Sequence, residues 1–318
     1  MTNTTTGVTT FTSPIMHMFT GETQFLRICN CTSDTILDVA WEFNGTPQTF
    51  QLVGIDAVPV NSQDGTQPGT LIPVTHFFLP PAGRAEILVT APRSTSTTAQ
   101  LVTNFISTGP NGDEDPLRPL FTAQLVGEGS PAGQDNDGDE YMADNALPTS
   151  TGLNTSQQMF GGIRNQNPST TRNLNFQEVS NGSAFFMNVV GGPAADGPNI
   201  QYDANHPPAI VTTQGAVEEW ILQNQAMENH EFHMHQIHFL VLAQQNFEAN
   251  GSVQDPGMTG QFADMIQVPF WDGTHAFPQV EMLMDFRGMD IGSFVFHCHI
   301  LGHEDLGMMQ IMQVNPSR

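Results

Sequence analysis

His297-Cys298-His299-Ile300-Leu301-Gly302-His303-Glu304-Asp305-Leu306-Gly307-Met308 decides how this 318-residue chain is read. The stretch holds a thiol, three imidazoles and a thioether. On an extended strand successive side chains point to opposite faces, so His297 and His299 share one face and Cys298 takes the other. Cys298 can therefore serve one metal while its neighbours serve another behind it. His303 and Met308 follow in a loop able to fold back toward the sulfur. A cysteine, two histidines and a weak axial methionine make up a blue-copper electron-transfer site. That set needs one more histidine.

The segment Asn229-His230-Glu231-Phe232-His233-Met234-His235 supplies it. His233 and His235 again share a strand face, and His230 lies three residues earlier. The reading that uses every donor places His230, Cys298, His303 and Met308 around one copper. It leaves His233, His235, His297 and His299 for a second metal centre. Six of the chain's eleven histidines then stand at ligand spacing. His238 reads as structural or supporting, and His17, His76, His206 and His275 as ordinary surface or core residues.

The two motifs, His-x-x-His-x-His and His-Cys-His-x-x-x-His-x-x-x-Gly-Met, resemble the C-terminal copper signature of multicopper oxidases, the laccase family. The resemblance implies copper as cofactor, a type 1 site at His230, Cys298, His303 and Met308, and part of a type 2/type 3 cluster at the other four histidines. His233 would serve the type 2 copper, and His235, His297 and His299 the type 3 pair. The ending His303-Glu304-Asp305-Leu306-Gly307-Met308-Met309 resembles bacterial members, which implies a proton-delivery role for Glu304. Cys298, His303 and Glu304 are thus the candidate catalytic residues. A full cluster in this family takes four further histidines from two His-x-His pairs of a first domain, and no other His-x-His occurs here. Pro14–Asn30 and Leu79–Val89 are similar to the middle domain of a three-domain member. The chain is therefore expected to correspond to domains two and three, with the first absent.

The rest of the sequence reads as β structure, with short Val, Ile, Phe and Thr runs punctuated by Asn44-Gly45, Asn111-Gly112 and Asn250-Gly251. The expected fold is all-β, two cupredoxin-like Greek-key sandwiches. One spans residues 1–126 without copper ligands and the other, copper-binding, spans 173–318. A Gly/Asp/Asn-rich linker, 127–172, joins them. Within it Asp135-Asn136-Asp137-Gly138-Asp139-Glu140 lacks the glycine and distal glutamate positions of a calcium loop and reads as a solvated acidic turn. Phe185–Val190 and Gly215–Asn224 resemble the strands that lead into the first histidine cluster.

Thirty-two acidic residues face eight basic ones, all arginine, for a net charge of −24. Such a chain is a poor partner for nucleic acid or an anionic membrane. The charge suits an extracytoplasmic, acidic or salty setting, no apolar run reaches transmembrane length and no signal peptide is visible, and the expected location is periplasmic or secreted. Three cysteines make no disulfide framework. Cys29 and Cys31, on one strand face, are poorly placed to bridge each other and are expected to be buried free thiols, with a second metal site as the alternative. The sixteen methionines are expected mainly in the core, although thioethers also favour cuprous copper.

Three functions follow. The first is a laccase-type oxidase of phenolic or metal-ion substrates that passes electrons toward oxygen at a cluster this chain half builds, completed by a homo-oligomer or a first domain. The second is a type 1 copper electron-transfer protein. The third is a non-catalytic copper-binding module.

Overall fold

The computed structural model describes residues 13–62, 69–127, 160–179, 182–191, 199–249 and 252–317. The acidic turn at 135–140 and the Asn250-Gly251 pair lie outside them. Four principal sheets form, and the single α-helix among the described residues is the five-residue Leu301–Asp305.

In the N-terminal half one sheet runs in the order Ile15–Phe19, Arg118–Val126, Ala99–Thr103, Leu37–Phe43, Thr46–Gln48, with His76–Leu79 also paired to Leu37–Phe43. The facing sheet is built on Thr23–Cys29, Arg84–Thr90 and Phe50–Ile55. Alternating apolar residues from both sheets, among them Val39, Trp41, Leu52, Ile87 and Leu101, close a dry core. Asn44 and Gly45 turn the Leu37–Phe43 hairpin at φ +49° and +76°. Both signs are what a tight two-residue turn requires, and asparagine and glycine adopt them at least cost.

The C-terminal half repeats the plan. A six-stranded sheet (Phe185–Val189, Thr170–Glu178, Val217–Asn224, Gln279–Asp285, Phe239–Gln245, Phe262–Ala263) faces a five-stranded one. The latter runs Ile210–Thr213, Met309–Asn315, Gly292–Cys298, His230–Met234, Met265–Val268. Both metal-binding motifs thus lie on adjacent strands of one sheet. Between the sheets Trp220 packs edge-on to Phe232, which lies between His230 and His233, and to Phe296, which directly precedes His297. Met282 and Met284 fill this core at 0% exposure, as the sequence suggested for most methionines, whereas Met289 is 87% exposed. The all-β, two-sandwich expectation holds.

Polar contacts join the halves beside the motifs. The Asn229 N–H donates to Thr108 O (2.8 Å) and the Leu301 N–H to Ser33 O (2.8 Å), each within two residues of a candidate ligand. Arg84 grips Asp264 through two bonds of 2.9 and 2.6 Å, and both lie against Asp56. His238 donates from Nε2 to Asp56 O at 2.8 Å, so it ties the halves together.

Burial and the neighbouring Asp264 raise Asp56 to about 7. The folded chain therefore keeps a proton that the unfolded chain loses near pH 4. Stability from that proton is complete below about pH 4 and is lost as pH rises to about 7. Urea unfolding between these limits is expected to show a decline on the order of 1–3 kcal/mol from this residue, and Asp56→Asn to flatten it. An unchanged slope in the variant would remove Asp56 as the cause.

Candidate metal centres

Register sets the two centres apart. Phe232 pairs with Cys298 and His233 with His297 across neighbouring antiparallel strands, so alternation sends Cys298 inward and His297 outward. The chain then leaves the strand. The Met308 N–H donates to His303 O and the Cys298 N–H to Met308 O, both at 3.0 Å, which folds His303 back over Cys298. His303 sits on the short helix rather than in an open loop.

The inner group is His230, Cys298 and His303, all buried. Cys298 Sγ lies 3.7 Å from Nδ1 of each imidazole, and the two Nδ1 atoms are 3.1 Å apart. Met308, beside them in the chain fold, is fully buried. Burial pushes the Cys298 thiol well above its ordinary value and His230 well below. Without a cation the group is therefore a neutral thiol and a neutral imidazole. Three donor atoms converging in a dry pocket fit a soft-to-borderline metal, which would release the thiol proton on binding. His303 Nε2 faces Glu228 Oε1 at 3.2 Å, the outward carboxylate that orients a ligating imidazole. Phe185 stacks on the His303 ring, centroids 4.0 Å apart.

The outer group is His233, His235 and His297. His299 stands next to it, its ring 5.3 Å from that of His233 and 5.2 Å from that of His297. His233 donates from Nδ1 to Asp264 O and His297 from Nδ1 to Cys298 O, each at 2.8 Å. That leaves each Nε2 as a lone-pair acceptor, and His297 Nε2 already accepts from His235 Nε2 at 3.0 Å, a proton a bound cation would displace. Burial lowers His233 to about 4 and His297 to about 3, so both are neutral and ready to ligate at ordinary pH. Glu304 approaches His297 Nδ1 at 3.3 Å, and burial raises its carboxyl. No further histidine joins this group among the described residues.

The structure places His230, Cys298 and His303 in one group and His233, His235 and His297 in another, with His299 beside the second and Met308 tied to the first through backbone bonds to Cys298 and His303. It adds Glu228, Phe185 and Asp264. It also adds Glu231, fully buried, neither of whose oxygens has a hydrogen-bond partner among the described residues. Glu228 was visible as an acid two residues before His230. Phe185, from a distant strand, and Asp264, from the bend between two others, lie far from the motifs in the chain. The two remaining thiols correct the sequence reading: Cys29 and Cys31 are exposed, because their strand ends at the rim of the sheet.

A cleft of about 390 Å³ opens between the halves above His303. Asp34, Asp113, Glu114, Asp115 and Glu228 line it, with Arg118 the one basic residue.

Comparisons with known proteins agree with this geometry. Residues 164–318 match the multicopper oxidase family model. A laccase of Bacillus subtilis (strain 168) is 31% identical over 117 residues, which are 34% of this chain and 22% of that protein. A laccase of Bacillus stratosphericus is 30% identical over 112 residues, 31% of this chain and 21% of its own length. The McoA multicopper oxidase of Aquifex aeolicus superposes with a TM-score of 0.64 at 18% identity, over 95% of this chain and 57% of that one. A Campylobacter jejuni multicopper oxidase described as a metallo-oxidase gives 0.59 at 22% identity, over 95% and 55%. The chain spans about a fifth of the curated relatives and just over half of the solved structures. Residues 164–318, which carry both groups of candidate ligands, are thus a multicopper oxidase domain, and that family uses copper as its cofactor.

Proposed function

We propose that the chain is the substrate-oxidising part of a laccase-type oxidase. In this reading His230, Cys298, His303 and Met308 hold the type 1 copper, and His233, His235, His297 and His299 form part of an oxygen-reducing cluster. The observation that carries it is the convergence of Cys298 Sγ and two imidazole Nδ1 atoms in a buried pocket, one peptide unit from the second group. Copper, when bound, supplies one-electron redox chemistry with a potential set by the thioether and the apolar shell.

The chain's own residues do the rest. Glu228 and Phe185 fix the His303 ring between the pocket and the cleft, so a reductant in the cleft meets the ring edge. Cys298 is bonded through the backbone to His297 and His299, a covalent route for electrons between the groups. Glu304, beside His297, is placed to hand on a proton. The carboxylates of the cleft favour a cationic reductant, a metal ion before a neutral phenol. The outer group is half of a cluster, and a second copy or a further domain with two more His-x-His pairs would complete it. The net charge of −24 suits an extracytoplasmic setting, and no helix of the described residues is long and apolar enough to cross a membrane.

A second reading has its own support. Only four histidines stand at the outer group among the described residues, which fits a type 1 electron-transfer protein. Copper per chain, measured after saturation and alongside oxygen uptake with ferrous ion and with a phenol, separates the two. Two or more coppers with oxygen consumption, faster for ferrous ion and slowed by salt, are expected for the oxidase. One copper, a blue colour and no oxygen uptake would hand the case to electron transfer.

A further inference from the structure

The strand Thr23–Cys29 carries a feature that neither metal centre uses. Cys29 and Cys31 are both exposed, and their sulfurs are 3.4 Å apart. Between them Asn30 is buried and turned the other way. Its Nδ2 donates to Thr35 O (2.8 Å) and Leu79 O (2.9 Å), and its Oδ1 accepts from the Thr32 N–H and hydroxyl. Its backbone is pinned as well, with the Asn30 N–H on Gly83 O and the Ala82 N–H on Asn30 O. Two thiols are thus held side by side at a rigid strand end, so little order has to be imposed when a ligand binds.

We propose that Cys29 and Cys31 form a surface site for one soft, thiophilic cation of the cuprous class. With metal–sulfur bonds of about 2.3 Å, two thiolates stand about 3.8 Å apart when solvent completes a tetrahedral set and about 4.6 Å apart in a linear pair, so the sulfurs need part by about an ångström or less from the 3.4 Å seen. A disulfide would need the sulfurs at about 2.05 Å from Cα positions two apart on extended chain, near the upper limit of bridging geometry. Thiolate ligands select Cu(I) over harder ions. Each thiol gives its proton to solvent on binding, and the resulting bis-thiolate complex carries one net negative charge. Arg84, the cross-strand partner of Cys29, supplies the complementary positive charge. The same arginine holds Asp264, whose carbonyl fixes His233, so the thiol pair lies on the seam that leads to the outer histidines.

The test is a Cu(I) titration of the full chain under a phosphine reductant against a chromophoric Cu(I) chelator, wild type beside Cys29→Ser/Cys31→Ser. The wild type is expected to take up one more Cu(I) per chain. Its Cys29 and Cys31 should resist alkylation after loading, as read by peptide mass spectrometry. The visible spectrum with Cu(II) should be the same in both, which shows that the variant is folded. Equal stoichiometry, thiols alkylated equally with and without Cu(I), or a Cys29–Cys31 disulfide that persists under the reductant would overturn the site.

Discussion

Cys298→Ser is expected to abolish the blue colour of the copper-loaded chain completely and to lower bound copper by one per chain. The sulfur is wholly buried and equidistant from the two Nδ1 atoms, so no other donor can take its place. A serine oxygen is hard and poorly ionised there, and a site without thiolate loses both the colour and the preference for soft metal. Substrate oxidation should fall to background. The metal-free variant should lose only about 1–2 kcal/mol, because its hydroxyl keeps one neighbouring donor, the Glu231 N–H that now points at the sulfur. The larger difference appears with copper. A ligand at a hundred times its Kd adds about 2.7 kcal/mol, and the variant should forgo that increment at this site. Urea unfolding with and without copper, read beside the visible spectrum, checks both statements. A Cys298→Ser protein that stays blue would refute the ligand assignment.

Trp220→Ala carries the largest stability cost expected, about 3–5 kcal/mol. The indole is 0% exposed, and its Nε1–H donates to Glu218 Oε2 at 3.0 Å. Glu218 is itself buried and held by Arg172 at 2.6 and 2.8 Å. Removing the ring leaves a cavity beneath Phe232 and Phe296, which neighbour the ligand positions on the two strands. The strands then lose the support that keeps their alternation in register with the metal. Weaker copper binding should therefore accompany the lost stability. Trp220→Phe, which keeps most of the volume and gives up the hydrogen bond, should cost less on both counts. An alanine variant that unfolds within about 1 kcal/mol of the wild type would show that this core relaxes around the gap.

The sequence made the metal chemistry legible because ligand spacing is local. Alternation on an extended strand separates Cys298 from His297 and His299 without any tertiary knowledge, and the same rule groups His233 with His235. The sandwich class was legible because short Val, Ile, Phe and Thr runs are closed by turn signals, and the Asn44-Gly45 pair does turn a hairpin. What surrounds the ligands was not. Phe185, Asp264 and the acidic cleft come from segments far apart in the chain, and only the folded sheets bring them to His303 and His233. Cys29 and Cys31 were misjudged because general burial tendencies of cysteine say nothing about a strand that ends at a rim.

The bond from His233 Nδ1 to the Asp264 carbonyl makes one imidazole a gauge of how the two halves sit. Asp264 is clamped through its side chain by Arg84 from the opposite half, while its carbonyl also accepts the Met234 N–H at 3.1 Å within its own half. Docked, the ring is locked as the Nδ1–H tautomer. Undocking frees the Asp264 side chain and loosens that lock, so the ring exchanges more readily between its two neutral forms. The nitrogen resonances of a single labelled side chain in the metal-free protein would then report on a contact between distant parts of the chain.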